Sequence, residues 1–250
     1  MHANVRDAKW GYLMFRPHQY RSVRPGVERL PGSTFRPRHR HLEGYATVVL
    51  AGSFTEASFA GRMPAVPGDV LLHGRFDCHM DVGHSRQSLQ ILRLPWLNDA
   101  IEGHFRTPDP EHIVRLAERD PLEAMAQLAH DLRPAPHRER NWTEELASEL
   151  LHDSTLTLRA WAAQRGIPPH TLSRGFQRSF GVSAKLFRLE ARARRAWRTV
   201  LSSDRSLTWI AHDAGFADLA HMSRSIRAFT GLAPTVWRES AHRGRARRDE

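Results

Sequence analysis

The spacing of hydrophobic positions changes along the chain. Between Ala46 and Trp96 they fall in short runs: ATVVLAGSF from Ala46, AVPGDVLLHGRF from Ala65 and SLQILRLPW from Ser88. A Pro-Gly-Asp turn precedes the apolar stretch Val70 to Leu72, and the first run breaks at a glycine. Runs of this kind, punctuated by Gly and Pro turns, predict strands packed as a small barrel or sandwich. After Pro110 the period becomes helical. EHIVRLAER and PLEAMAQLAHDL carry apolar residues at helical spacing, and Asp120-Pro121 reads as an N-cap followed by proline at the first helical position. This helical pair is expected to pack on the strands, with dimerisation as a functional alternative.

The stretch RPAPHRERN, Arg133 to Asn141, has two prolines, three arginines and no sizeable apolar residue, so it predicts a linker. Beyond it the helical pattern repeats itself. LTLRAWAAQRG stops at Gly166, and PPHTLSRGFQRSF opens on prolines and stops at Gly181. About fifty positions later SLTWIAHDAG is followed by a turn and LAHMSRSIRAFTG. Leu172, Ser173, Arg174, Phe176 and Gly181 then align with Met222, Ser223, Arg224, Ile226 and Gly231, while Ala162 and Gly166 align with Ala211 and Gly215. A short helix, a tight turn and a second short helix make a helix-turn-helix, and the chain holds two. SAKLFRLEARARRAWRTVLSS between them lacks Gly and Pro and predicts one helix from about Ser183 to Leu201. Roughly 19 residues at about 1.5 Å each span about 28 Å. Major-groove faces on one side of B-DNA recur about every 34 Å. A connecting helix of this length suits two reading helices on one duplex.

Composition sharpens that picture. The net charge over 250 residues is +10, which favours a polyanionic partner. The segment from Trp142 holds 18 Arg and Lys against 11 Asp and Glu, so the C-terminal part carries most of the excess. Cys78 is the only cysteine, which excludes an intrachain disulfide and fits a reducing compartment. No secretory leader and no apolar run of membrane-spanning length are read, so a cytoplasmic protein with no membrane partner is expected.

The second copy resembles the AraC-type transcriptional regulators. The resemblance rests on Ile210-Ala211, Gly215-Phe216, Ser223-Arg224, Gly231-Leu232, Pro234 and Trp237-Arg238, and covers about Trp142 to Arg238. It implies that exposed residues early in each second helix meet bases: His170, Ser173 and Arg174 in the first copy, and Leu219, Ala220, His221 and Arg224 in the second. Arginine suits guanine O6 and N7, and Leu219 and Ala220 suit thymine methyls. Gln177, Arg178 and Arg227 are the expected phosphate or flanking contacts. A solvated helix face is the bland reading of the same side chains. Trp161, Leu172, Phe176, Phe187, Ile210, Met222, Ile226 and Trp237 are expected to form the core that positions these helices.

The N-terminal part has its own constellation. His39 and His41 stand two apart at strand spacing, and PGDVLLHGRFDCH adds His73 and His79. This resembles the cupin barrel that many AraC-type regulators carry. His39, His41 and His79 match the histidines of metal cupins, but the carboxylate expected four or five positions after His41 is replaced by Tyr45 and Ala46. The three histidines suit a divalent ion such as Zn²⁺ or Ni²⁺, or else line an effector pocket. The direction of His73 is left open.

The expected fold is therefore α+β in two domains. Residues 1–133 form a cupin-like β-barrel with C-terminal helices, 134–141 a linker, and 142–241 an all-α domain with two helix-turn-helix motifs joined by a long helix. Residues 242–250 form a disordered basic tail. The expected function is sequence-specific binding of double-stranded DNA by a one-component transcriptional regulator, not an enzyme. Its further partners would be a small-molecule effector, a second copy in a homodimer and, for an activator, RNA polymerase. The alternative is a metal-dependent cupin enzyme whose C-terminal domain localises it on DNA.

Overall fold

A computed structural model describes residues 20–21, 24–84, 86–136, 138–153 and 155–246. By their contacts these fall into two compact units: residues up to Ser148 with Gly166–Ser183, and Glu149–Arg165 with the chain from Ala184 onward.

The first unit is built on eleven short strands. They are β1 (Tyr20–Arg21), β2 (Gly26–Leu30), β3 (Phe35–His41), β4 (Tyr45–Ala51), β5 (Phe54–Ser58), β6 (Gly61–Ala65), β7 (Asp69–His73), β8 (Cys78–Gly83), β9 (Leu89–Pro95), β10 (Gly103–Arg106) and β11 (Arg133–Pro134). They form a five-stranded sheet, β1-β3-β8-β5-β6, and a six-stranded sheet, β11-β10-β7-β4-β9-β2. Apart from the parallel β1–β3 pair, neighbours run antiparallel. The three apolar runs of the sequence are β4, β7 and β9. Gly52, with φ 76°, ends the first of them before β5 begins.

The six-stranded sheet is covered on both faces, which explains why β7 is a continuous buried run rather than an alternating one. On one face Ala46, Val48, Val70, Leu72, Leu92 and Leu94 pack with Ile113, Ala124 and Leu128 of helices α1 (Pro110–Ala117) and α2 (Pro121–Asp131). On the other, Val49, Leu71, Leu89 and Ile91 meet Phe54 and Ala65 of the five-stranded sheet. The helical pair thus packs on the strands as expected. The Asp120 carboxylate accepts the N–H of Leu122 at 2.8 Å and of Glu123 at 3.3 Å, the cap that the sequence predicted.

The segment after α2 is tied down by polar groups rather than apolar burial. Asn141 Oδ1 caps α3 (Trp142–His152) by accepting the N–H of Thr143 at 2.9 Å. Glu144, buried in the first turn of α3, accepts from the Arg138 guanidinium, from the Asn141 N–H at 3.2 Å and from the Arg62 N–H of edge strand β6 at 3.2 Å. Hydropathy cannot register an anchor of this kind. The first unit also holds α5 (Pro169–Phe180), which contacts β5.

The second unit contains α4 (Leu158–Gln164), α6 (Ala184–Ser202), α7 (Leu207–Asp213), α8 (Leu219–Thr230) and α9 (Pro234–Ala246). Helix α6 is a single run of 19 residues, as the absence of Gly and Pro predicted. It buries Phe187, Ala193, Ala196, Trp197 and Val200 along one stripe. Trp197 meets Trp237 of α9 edge-on at 5.7 Å, and Trp237 Nε1 donates to Thr230 Oγ1 at 2.7 Å. Helix α9 reaches Ala246, so residues 242–246 of the expected disordered tail are helical, and 247–250 lie outside the described residues. Among the described residues no helix is long and apolar enough to cross a membrane.

Candidate nucleic-acid interface and buried histidine cluster

The two second helices of the repeat, α5 and α8, have the same length of 12 residues. Each ends on a glycine in the left-handed region, Gly181 at φ 75° and Gly231 at φ 86°. Only glycine adopts this conformation without strain, so the repeated glycines mark two identical helix stops. Each helix buries one apolar stripe: Leu172, Phe176 and Phe180 in α5, and Met222, Ile226 and Phe229 in α8. The opposite face of α5 exposes His170, Ser173, Arg174, Gln177 and Arg178. On α8, Ala220, Arg224 and Arg227 are exposed, whereas Leu219 and His221 are half-buried. His221 lies edge-on to Phe216 at 5.2 Å, and its N–H donates to the Asp218 carboxylate at 2.6 Å.

Of the expected core residues, Trp161, Leu172, Phe176, Phe187, Ile210, Met222 and Ile226 are buried, and Trp237 is half-buried. Several arginines that composition counts toward DNA binding are structural. Arg188 donates to the Leu156 carbonyl at 2.6 Å. Arg195 donates to the carbonyls of Leu151 at 3.2 Å and Ala214 at 3.1 Å. Partial burial, with Arg188 and Arg195 close by, lowers the pKa of Arg192.

The second cluster lies inside the first unit. Strands β3 and β8 pair with His39 opposite His79. Ring nitrogens of His39, His41 and His79, all buried, lie within 4.8 Å of one another, so the expected trio is brought together. His73, whose direction the sequence left open, points into the same interior. Its Nδ1 meets Asp77 Oδ2 at 2.9 Å and its Nε2 meets Glu56 Oε2 at 3.2 Å. The Tyr45 hydroxyl bonds His79 Nε2 at 3.0 Å and its ring stacks on His73 at 4.4 Å.

Burial works to lower the His73 pKa, but the Glu56 and Asp77 carboxylates outweigh it and raise the value to about 10. Burial, reinforced by His73, His39 and His41, holds His79 well below the usual imidazole value. Burial and the Glu56 charge push Asp81 up to about 7. One imidazole is thus held as a cation and its neighbour as a neutral ligand-type ring. Glu56, Asp77 and Asp81 are the carboxylates that sequence reading missed. Glu56 comes from β5, outside the motif in which a carboxylate was sought.

Residues 161–240 match the model of a family described as a helix-turn-helix domain. The transcriptional activator NphR of a Rhodococcus species is 31% identical over 117 residues, which make up 46% of this chain. The C-terminal region is thus similar to a helix-turn-helix domain, over the same stretch that carries the AraC-type resemblance in the sequence. The aligned stretch covers 33% of NphR, so the chain spans about a third of that relative's length. Among solved structures, unsaturated-fatty-acid-bound wild-type ToxT of Vibrio cholerae strain SCE256 aligns over 85% of this chain and 93% of its own, at 11% identity and a TM-score of 0.40. The DNA-binding domain of AdpA, a global transcriptional factor solved with a target DNA, aligns over 44% of this chain and 99% of its own, at 24% identity and a TM-score of 0.39. All ten candidate DNA-contact residues fall within the part matched by the helix-turn-helix domain.

Proposed function

We propose that the protein is a one-component transcriptional regulator that binds double-stranded DNA through α5 and α8. The observation that carries this reading is the pair of equal helices, each closed by a left-handed glycine and each exposing an arginine at the same repeat position, Arg174 and Arg224. Arg174 and Arg224 donate to guanine edges. His170, Ser173 and His221 reach bases or nearby phosphates, and Leu219 and Ala220 lie against thymine methyls. Gln177, Arg178 and Arg227 hold phosphates. The DNA-binding module is 142–241, joined to a cupin-like barrel by 134–141, and the protein acts in the cytoplasm. Selecting bound sites from random duplexes with the full chain tests the reading. A recurring motif is the expected result, and binding without sequence preference contradicts it.

The barrel part senses the effector. A cleft of about 580 Å³ beside β6, lined among others by Met63, His104, Arg138 and Glu144, supports a small-molecule ligand by its size. A ligand there shifts the balance between two states of the protein, and so dimer geometry or DNA affinity; for an activator the further partner is RNA polymerase. The buried trio His39, His41 and His79 has the spacing and donor type of a divalent-metal site for Zn²⁺ or Ni²⁺. Such an ion would act as a cross-link between β3 and β8. A transcriptional role, rather than catalysis, is the reading that the family match supports.

A further inference from the structure

We propose that Glu56, His73 and His79 form a divalent transition-metal site between the two sheets, set apart from the three-histidine group with which it shares His79. The three side chains come from three strands, β5, β7 and β8, and their ligand atoms lie within 4.8 Å of one another, all buried. His73 Nε2 and Glu56 Oε2 face each other at 3.2 Å. Two ligands of a tetrahedral zinc ion, each about 2.0–2.2 Å from the metal, are about 3.3 Å apart. The pair therefore already has the edge length of such a site, and the proton that His73 Nε2 holds toward Glu56 leaves to solvent as the ion enters.

The outer contacts are those that metal-bound imidazoles use. The far nitrogen of His73, Nδ1, is fixed by Asp77 at 2.9 Å, the carboxylate–histidine arrangement that orients a ring toward a metal. The Tyr45 hydroxyl fixes Nε2 of His79, while Nδ1 of the same ring is buried with no hydrogen-bond partner. Asp77 Oδ2 stands 4.0 Å from that nitrogen, beyond hydrogen-bond reach, so the nitrogen keeps a lone pair for a ligand. The space fits as well. A cavity of about 20 Å³, lined among others by Tyr45, Glu56, His73, His79 and Asp81, has room for one water-sized occupant and not for an organic effector.

Charge favours this trio over the other. Three imidazoles leave the double charge of the ion uncompensated in a buried place, whereas Glu56 brings a negative charge to it and Asp77 a second beside it. Two imidazoles and a carboxylate select Zn²⁺, Co²⁺ or Ni²⁺ over Mg²⁺ or Ca²⁺.

The test uses the metal-stripped full chain titrated with Zn²⁺ and Co²⁺. Glu56→Gln and His73→Asn should each weaken binding at least about tenfold. The double variant His39→Ala/His41→Ala, which removes the three-histidine group, should still bind one ion through Glu56, His73 and His79. X-ray absorption of the zinc-loaded wild type should show two imidazoles and a carboxylate oxygen at this site, a readout that survives if a variant fails to fold. The proposal is overturned if no ion binds, if the wild-type spectrum shows imidazole ligands alone, or if His39→Ala/His41→Ala abolishes binding while Glu56→Gln and His73→Asn keep it. A DNA mobility shift on the same preparations keeps this outcome separate from the DNA-binding reading, on which the proposal does not rest.

Discussion

Helices α5 and α8 are copies in sequence pattern, yet they present different chemistry. Helix α5 has no side-chain N-cap, and its first two turns expose His170, Ser173 and Arg174. Helix α8 is capped by Asp218, half-buries Leu219 and His221 at its start, and exposes Arg224 one turn further on. The buried faces differ too. Gly175 lets the Trp142 ring approach so closely that a Cβ there would meet it at 2.5 Å, whereas Ser225 at the matching place in α8 is an ordinary buried residue. A repeated backbone device therefore carries one helix whose opening turns expose polar and basic side chains and one whose opening turn is capped and half-buried. The stop glycine and apolar stripe are what the fold needs twice; the outward face is free to diverge.

The largest expected effect breaks the difference between the buried faces. Gly175→Ala should cost about 1–3 kcal/mol by overpacking against Trp142, read as a lower midpoint in urea denaturation. Ser225→Ala, its counterpart, should change stability much less. Next, Arg174→Ala and Arg224→Ala should each weaken binding to the preferred site by about 1–3 kcal/mol and relax one base position, measured by competition on single-base variants of that site. If α5 is the richer reader, Arg174→Ala relaxes specificity more. A smaller effect comes from the cap: Asp218→Ala should lower stability by about 1 kcal/mol, and Pro168→Ala has no side-chain cap to lose. Smallest in specificity are Arg178→Ala and Arg227→Ala. They should weaken cognate and random duplexes alike and lower the slope of log K against log salt by about one.

The helical repeat was legible in the sequence because its signals are local. The helix stops at Gly181 and Gly231, the uninterrupted α6 and the apolar stripes all depend on neighbours within a few positions. The interior of the sheets was legible only in part. His39 and His41 share a strand face by simple alternation, and the resemblance brought His79 to them. Glu56 could not be found this way, because β5 lies in the opposite sheet and meets His73 only across the interior, and Asp77 reaches His73 through the turn after β7, which strand alternation does not describe. The anchoring of 133–141 was missed for a related reason. Its contacts are hydrogen bonds of Arg138, Asn141 and Glu144, which an apolar count does not register.

The central claim is that one chain reads a duplex with two helices, and footprinting on the selected site tests it most directly. Wild type, Arg174→Ala and Arg224→Ala would be compared by hydroxyl-radical and base-methylation protection. The account predicts two protected patches about one helical turn apart, roughly 10 base pairs, with Arg174→Ala losing guanine protection in one patch and Arg224→Ala in the other. A single patch, or equal loss across the whole footprint for both variants, would contradict it.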